Sequence, residues 1–218
     1  MKVAIFDFDG TLFESAVYWV KVINQYLVER DIETEDDILS IAKPLGISET
    51  AKMIREKFSL AETQNEIVTS WRSQMGKNYH DVIALREYAH EYIEKLHSKG
   101  ISICLATAME RDFVIPALER TKIMPLFDLI VTISDVKANK NSPLIFQHCA
   151  EYFHVAPSEC TVFEDSPQAA KICSDAGFHV IGVFDGVCVN DRELMSPFCD
   201  RFIDSFKELL DEGGDYLS

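Results

Sequence analysis

Hydrophobic positions along the chain follow two distinct rhythms. Short apolar runs with β-branched members occur at residues 2–6 (KVAIF), 101–106, 129–133, 160–163 and 179–183. Each predicts a strand of a parallel sheet covered on both faces. Between them apolar residues recur at helical spacing. Leu85, Tyr92 and Leu96 form one stripe closed by Gly100, and Ser142 with Pro143 opens a helix that buries Phe146, Cys149 and Phe153. Strand and helix in alternation predict an α/β protein with a Rossmann-like, doubly wound parallel sheet.

Residues 14–82 break this rhythm, with several helical patterns and no convincing strand. Val17, Val20, Ile23 and Leu27 mark one stripe, Thr34 with Asp37 resembles a capping box, Ser48 can cap the next helix, and Ile67, Val68, Trp71 and Met75 mark another. The stretch is far longer than a crossover between neighbouring strands needs. It predicts an all-helical domain at 14–82 inserted into an α/β core of residues 1–13 and 83–218. The glycine pair at 213–214 predicts a frayed tail.

Composition narrows the function. With 47% apolar, 26% charged and 11% aromatic residues in 218, the chain is neither disordered nor of low complexity. Thirty-six acidic against 21 basic residues leave a net charge of −15, which opposes binding to nucleic acid or to an anionic membrane surface. A small anion held through a metal ion remains compatible. The four-residue apolar run before Asp7 is too short for a signal peptide and no later run approaches a membrane span, so a cytoplasmic protein is expected. Cys104, Cys149, Cys160, Cys173, Cys188 and Cys199 form no CxxC pair, and several lie inside apolar runs, which predicts buried free thiols.

Reactive residues fall at or just beyond the ends of the predicted strands: Asp7 and Asp9 after the first, Thr107 after the second, Lys140 after the third, Glu164 and Asp165 at the fourth. In an open parallel sheet that edge holds the ligand crevice, so four segments distant in sequence would converge there. Asp7 and Asp9, two apart, point to one side with Phe8 turned away, and Gly10-Thr11 supplies a tight turn. Carboxylates with no His or Cys beside them suit Mg²⁺ better than zinc. Lys140 offers a point charge for phosphate and Thr107 a hydroxyl. These are the parts of a phosphoryl-transfer site.

On these residues the chain resembles the haloacid dehalogenase-like hydrolase superfamily, in its phosphatase and β-phosphoglucomutase-like branch with a helical cap. DFDGTLFES resembles the opening DxDGT signature, Thr107 in LATA the second motif, Lys140 in NKNSPLIF the third, and Glu164-Asp165-Ser166 in VFEDS the fourth. The resemblance implies Asp7 as the nucleophile forming an aspartyl-phosphate and Asp9 as the general acid and base. It implies Mg²⁺ held by Asp7, the Asp9 carbonyl and Asp165, with Glu164 a ligand or its neighbour. Thr107, the Ala108 backbone N–H and Lys140 would bind the transferring phosphoryl group. Glu14 and Asn141 depart from the family pattern, and the stretch 84–92 (ALREYAHEY) lacks the turn that often precedes the first core helix after the cap, which implies a differently shaped hinge near 83–86. Trp19 stands where related hexose phosphomutases carry a His, which argues against that activity.

The implied activity is Mg²⁺-dependent hydrolysis of a small phosphorylated metabolite. The alternatives are a phosphomutase of the β-phosphoglucomutase type and a catalytically weak binding protein of the same fold; oligomeric state is open. Substrate choice would rest in the cap, where the loop 41–48, with Lys43 and Gly46, is the candidate to face the substrate. Arg55 and Arg72 are further cap cations, and His80 reads as structural or exposed.

Overall fold

A computed structural model describes residues 1–33, 38–136, 142–186 and 190–211, the side chains of 38–45 excepted. Lys140, Asn141, Cys188, the Thr34–Asp37 pair, Gly213 and Gly214 lie outside the described residues, as does the side chain of Lys43.

Six strands form one parallel sheet: β1 (Val3–Phe6), β2 (Ser102–Thr107), β3 (Leu129–Thr132), β4 (Cys160–Glu164), β5 (His179–Val183) and β6 (Arg201–Ile203). Their order is β3-β2-β1-β4-β5-β6, so the winding direction reverses between β1 and β4. The fold is the doubly wound α/β arrangement, whose ligand crevice opens at that reversal. Side chains alternate between two faces along β1: Val3 and Ile5 join one hydrophobic cluster with Cys104, Phe146 and Val162, while Ala4 and Phe6 join the other with Tyr92, Phe163 and Phe206. Both faces are covered, which is why these strands read as continuous apolar runs. Phe6 and Phe163, opposite each other on β1 and β4, stack with ring centroids 4.3 Å apart.

The first three of the helices between β1 and β2 are α1 (Ala16–Val28), α2 (Ile38–Lys57) and α3 (Gln64–Asp81). They pack on one another, and α3 also packs on α5 (Arg111–Arg120). Trp71 of α3 meets Tyr26 of α1 edge-on at 5.8 Å. Thr63 and Glu66 close a capping box at the start of α3, satisfying amide donors the first turn leaves open. The chain leaves β1 and returns along paired segments. Glu14 N donates to the Ala84 carbonyl, Arg86 N donates to that of Leu12 at 2.7 Å, and Phe13 bridges Leu85.

The remaining helices are α4 (Ala89–Ser98), α6 (Ile133–Val136), α7 (Leu144–Tyr152), α8 (Pro167–Asp175), α9 (Asp191–Met195) and α10 (Phe206–Asp211).

Several expectations need correction. Leu85 lies outside the helix of Tyr92 and Leu96, because Tyr88 takes a left-handed conformation (φ 63°) and α4 starts only after it. The stretch 41–48 is no loop: it lies within α2, which is broken at Gly46 (φ 73°, ψ 166°). Of the stripe expected on α1, Ile23 and Leu27 are buried, joined by Val22 and Tyr26, but Val17 is exposed and Val20 only half-buried. Ile133 begins α6 and does not extend β3. The sixth strand escapes the pattern because RFI is three residues long and opens on a charge.

Candidate active site

Asp7 follows the last residue of β1, and its N–H donates to the Phe163 carbonyl at 3.0 Å, extending the β1–β4 ladder by one bond. The chain then turns: Leu12 N and Phe13 N both donate to the Phe8 carbonyl, and Gly10 N to that of Phe13. Gly10 has φ 76°, and a Cβ on it would lie 2.4 Å from the Asp165 Oδ2. Glycine is therefore required twice, for the left-handed backbone and for the close approach of β1's turn to β4's end. Phe8 is fully buried and packs on Phe13 and Tyr79, whereas Asp7 and Asp9 both line one cavity.

The cavity holds about 350 Å³ at the carboxyl edge of the sheet. Asp7, Glu164 and Asp165 are all buried, and each offers a carboxylate oxygen within 4.8 Å of the other two. Thr11 Oγ1 donates to Asp165 Oδ1 at 3.4 Å, and Glu164 Oε2 accepts from Ser166 N at 2.9 Å. Ser166 caps α8 with Pro167 in its first turn, so the bend that turns these two carboxylates into the cavity is set by the helix start. Three buried hard oxygen donors with no nitrogen or sulfur ligand among them fit a divalent cation of the Mg²⁺ kind.

Thr107 closes β2, buried, and its Oγ1 accepts from Met109 N at 3.0 Å, which leaves the hydroxyl proton to be donated elsewhere. Ala108 follows it at the cavity wall. Gly46, at the break of α2, also reaches the cavity with Ile47 and Thr50. Arg72 lines it too, paired through Nη1 with Glu110 Oε1 at 2.6 Å. Arg55 instead donates to the Glu62 carbonyl, and His80 is exposed beside Asp81.

Sequence reasoning missed four contributors. Tyr79, fully buried in the last turn of α3, donates its phenolic hydrogen bond to Asp9 Oδ1. Burial, and then the Asp9 charge, push this phenol well above its ordinary pKa, so it is a protonated donor. Its place continues the stripe Ile67, Val68, Trp71 and Met75, a pattern that reads only as core. Arg86, buried, donates to the carbonyls of Gly10 (2.7 Å) and Phe184 (2.8 Å), tying the β1 turn to the end of β5. Burial pulls its pKa down, opposed by Glu14, Asp165 and Asp185. Asp185 and Ser15 also line the cavity. Asp185 was within reach of the strand-end argument, since it comes two residues after β5.

Residues 4–183 match the model of the haloacid dehalogenase-like hydrolase family. Sequence relatives include a (DL)-glycerol-3-phosphatase of Arabidopsis thaliana, 27% identical over 216 residues that cover 95% of this chain and 70% of that protein. A phosphoglycolate phosphatase of Nitrosospira multiformis is 23% identical over 215 residues, covering 95% and 93%. Among solved structures, CbbY of Rhodobacter sphaeroides in complex with phosphate superposes with a TM-score of 0.76 at 21% identity over 96% of each chain. A β-phosphoglucomutase of Clostridium difficile does so at 0.74 and 19%, over 99% of this chain and 98% of that one. At these identities the structural likeness shows the fold.

Proposed function

We propose that this chain, which belongs to the haloacid dehalogenase-like hydrolase family, is a Mg²⁺-dependent phosphatase of a small phosphorylated metabolite. The observation that carries the reading is the meeting of Asp7, Glu164 and Asp165 at the sheet reversal, in the cavity that Asp9 and Thr107 also line.

In this reading a carboxylate oxygen of Asp7 attacks phosphorus, the P–O bond to the substrate alcohol breaks, and Asp9 delivers the proton to the departing oxygen. Asp9 then takes a proton from water as the water oxygen attacks the aspartyl-phosphate, which releases phosphate and restores Asp7. Thr107 Oγ1, the Ala108 N–H and, outside the described residues, Lys140 bind the phosphoryl oxygens. Asp7, Asp165 and the Asp9 carbonyl, with Glu164 as ligand or neighbour, would hold Mg²⁺. When bound, the ion offsets the negative charge that the carboxylates and the phosphoryl group bring together.

The helices of residues 14–82 serve as a cap over the core of 1–13 and 83–218, with the paired segments around Phe13 and Leu85 as its hinge. A cap that carries Trp19, Gly46 and Arg72 to the cavity excludes water while Asp7 is phosphorylated.

Phosphate release from a panel of small phosphomonoesters, with and without Mg²⁺, tests the reading, with Asp7→Asn protein as control. Metal-dependent release by the parent alone supports it. Phosphorylation of Asp7 without release would point to a phosphomutase. Neither release nor phosphorylation would leave a binding protein of this fold.

A further inference from the structure

Large apolar side chains line the cavity together with the acidic cluster. Trp19 and Ile23 come from α1, Ile47 from the break of α2, Met109 from the turn after β2 and Phe113 from α5. Two polar side chains beside them are engaged with the protein: Arg72 pairs with Glu110 at 2.6 Å, and Thr50 Oγ1 donates to the Gly46 carbonyl at 2.7 Å. A sugar placed against these apolar side chains would lose the water bonded to the hydroxyls that face them without replacement. A flat apolar ring loses nothing there and gains contact with two aromatic side chains.

We propose that the phosphatase substrate, given the reading above, carries an apolar ring system as its alcohol part, seated between Trp19, Ile47 and Phe113 with its phosphate toward Asp7. The cavity of about 350 Å³ takes such a ring together with a phosphoryl group. Specificity then comes from shape and apolar contact on the α1 and α5 sides.

Benzyl phosphate, glucose 6-phosphate and phosphoglycolate separate the possibilities, because none of them has an activated leaving group. The expected result is a kcat/KM for benzyl phosphate at least about tenfold above those of the other two. Trp19→Ala should shrink that preference about fivefold. If glucose 6-phosphate or phosphoglycolate equals benzyl phosphate, and Asp7→Asn still abolishes release, the ring proposal falls while the phosphatase reading stands. If all three are inert, inert analogues decide. A larger rise in melting temperature with benzylphosphonate than with methylphosphonate, in Mg²⁺, upholds the ring site and leaves the phosphatase reading to the wider panel; equal rises overturn the ring site.

Discussion

The Tyr79 hydroxyl, carried on the last turn of α3, donates directly to the carboxylate of Asp9, which sits on the turn after β1. Seventy residues of sequence separate the two, and the contact joins a helix of the segment between β1 and β2 to the residue proposed as acid and base. The same side chain packs on Phe8 and stacks on Phe113 at 5.8 Å, while its carbonyl accepts from Arg120 Nε at 3.3 Å. Tyr79 is thus fixed from three sides and fixes Asp9 in turn.

Tyr79→Phe keeps the ring packing and removes the donor. A hydrogen bond to a charged acceptor contributes about 1.5–3 kcal/mol, so kcat should fall about tenfold or more. KM should move far less, because the phenol positions Asp9 and does not grip the phosphate. Steady-state kinetics on any substrate that turns over checks this; an unchanged kcat would mean that Asp9 keeps its place without the tyrosine.

Gly10→Ala strikes the closest approach in the site. The left-handed backbone costs an L-residue about 1–2 kcal/mol, and the new methyl would collide with Asp165. Thermal unfolding should show a lower melting temperature. Activity should fall further than the lost stability explains, since the Asp165 carboxylate must move.

Mg²⁺ should raise the parent's melting temperature, because a ligand of the folded state alone stabilises it by about 1.4 kcal/mol at ten times its Kd. Asp165→Asn removes one of the three convergent carboxylates. Calorimetric scans with and without Mg²⁺ should show the increment nearly gone in the variant, and an intact increment would place the cation elsewhere.

Asp135 gives a pH dependence of stability whose sign is determined. Burial would raise its pKa. The Thr132 N–H at 2.7 Å, the Thr132 hydroxyl at 2.8 Å and the Arg111 guanidinium at 2.8 Å prevail and hold it below the ordinary carboxylate value. A lowered carboxyl stabilises the folded chain above its unfolded pKa of about 3.9, and that contribution disappears as pH falls through the folded value. Asp135→Asn should therefore destabilise at pH 7, and the difference from the parent should begin to shrink only below about pH 4 and vanish below the folded pKa, as urea unfolding at each pH would show.

The thiols should be inert. Burial pushes Cys104 upward and takes Cys160 to about 11, and Cys104 Sγ lies 3.0 Å from Cys149 Sγ with both side chains buried. Iodoacetamide at pH 8 should leave Cys104, Cys149, Cys160 and Cys173 unmodified in the native protein and alkylate them in denaturant, as site-resolved mass spectrometry would reveal.

Much of this architecture is legible in one dimension because its signals are local. Strands buried on both faces need uninterrupted apolar runs, and five of the six show them; β6 is too short to leave a pattern. Carboxylates at strand ends could be gathered into one site from sequence because a parallel sheet places all its carboxyl ends on one edge. The capping box at Thr63 and Glu66 is likewise local, a T-x-x-E pattern at the start of α3.

Other features have no local signature. Tyr79 and Arg86 look like a core aromatic and a loop cation until the fold sets them against Asp9 and the Gly10 carbonyl. Gly46 reads as the turn of a loop, yet the chain continues helically on both sides of a single break, because glycine alone absorbs the positive φ there. The sequence by itself determined the strand runs, the acidic motifs and the charge, since these depend on neighbours one to four residues away. Only the tertiary structure decided which side chains face the cavity and with which partners, because burial and hydrogen bonding are properties of groups brought together across the whole chain.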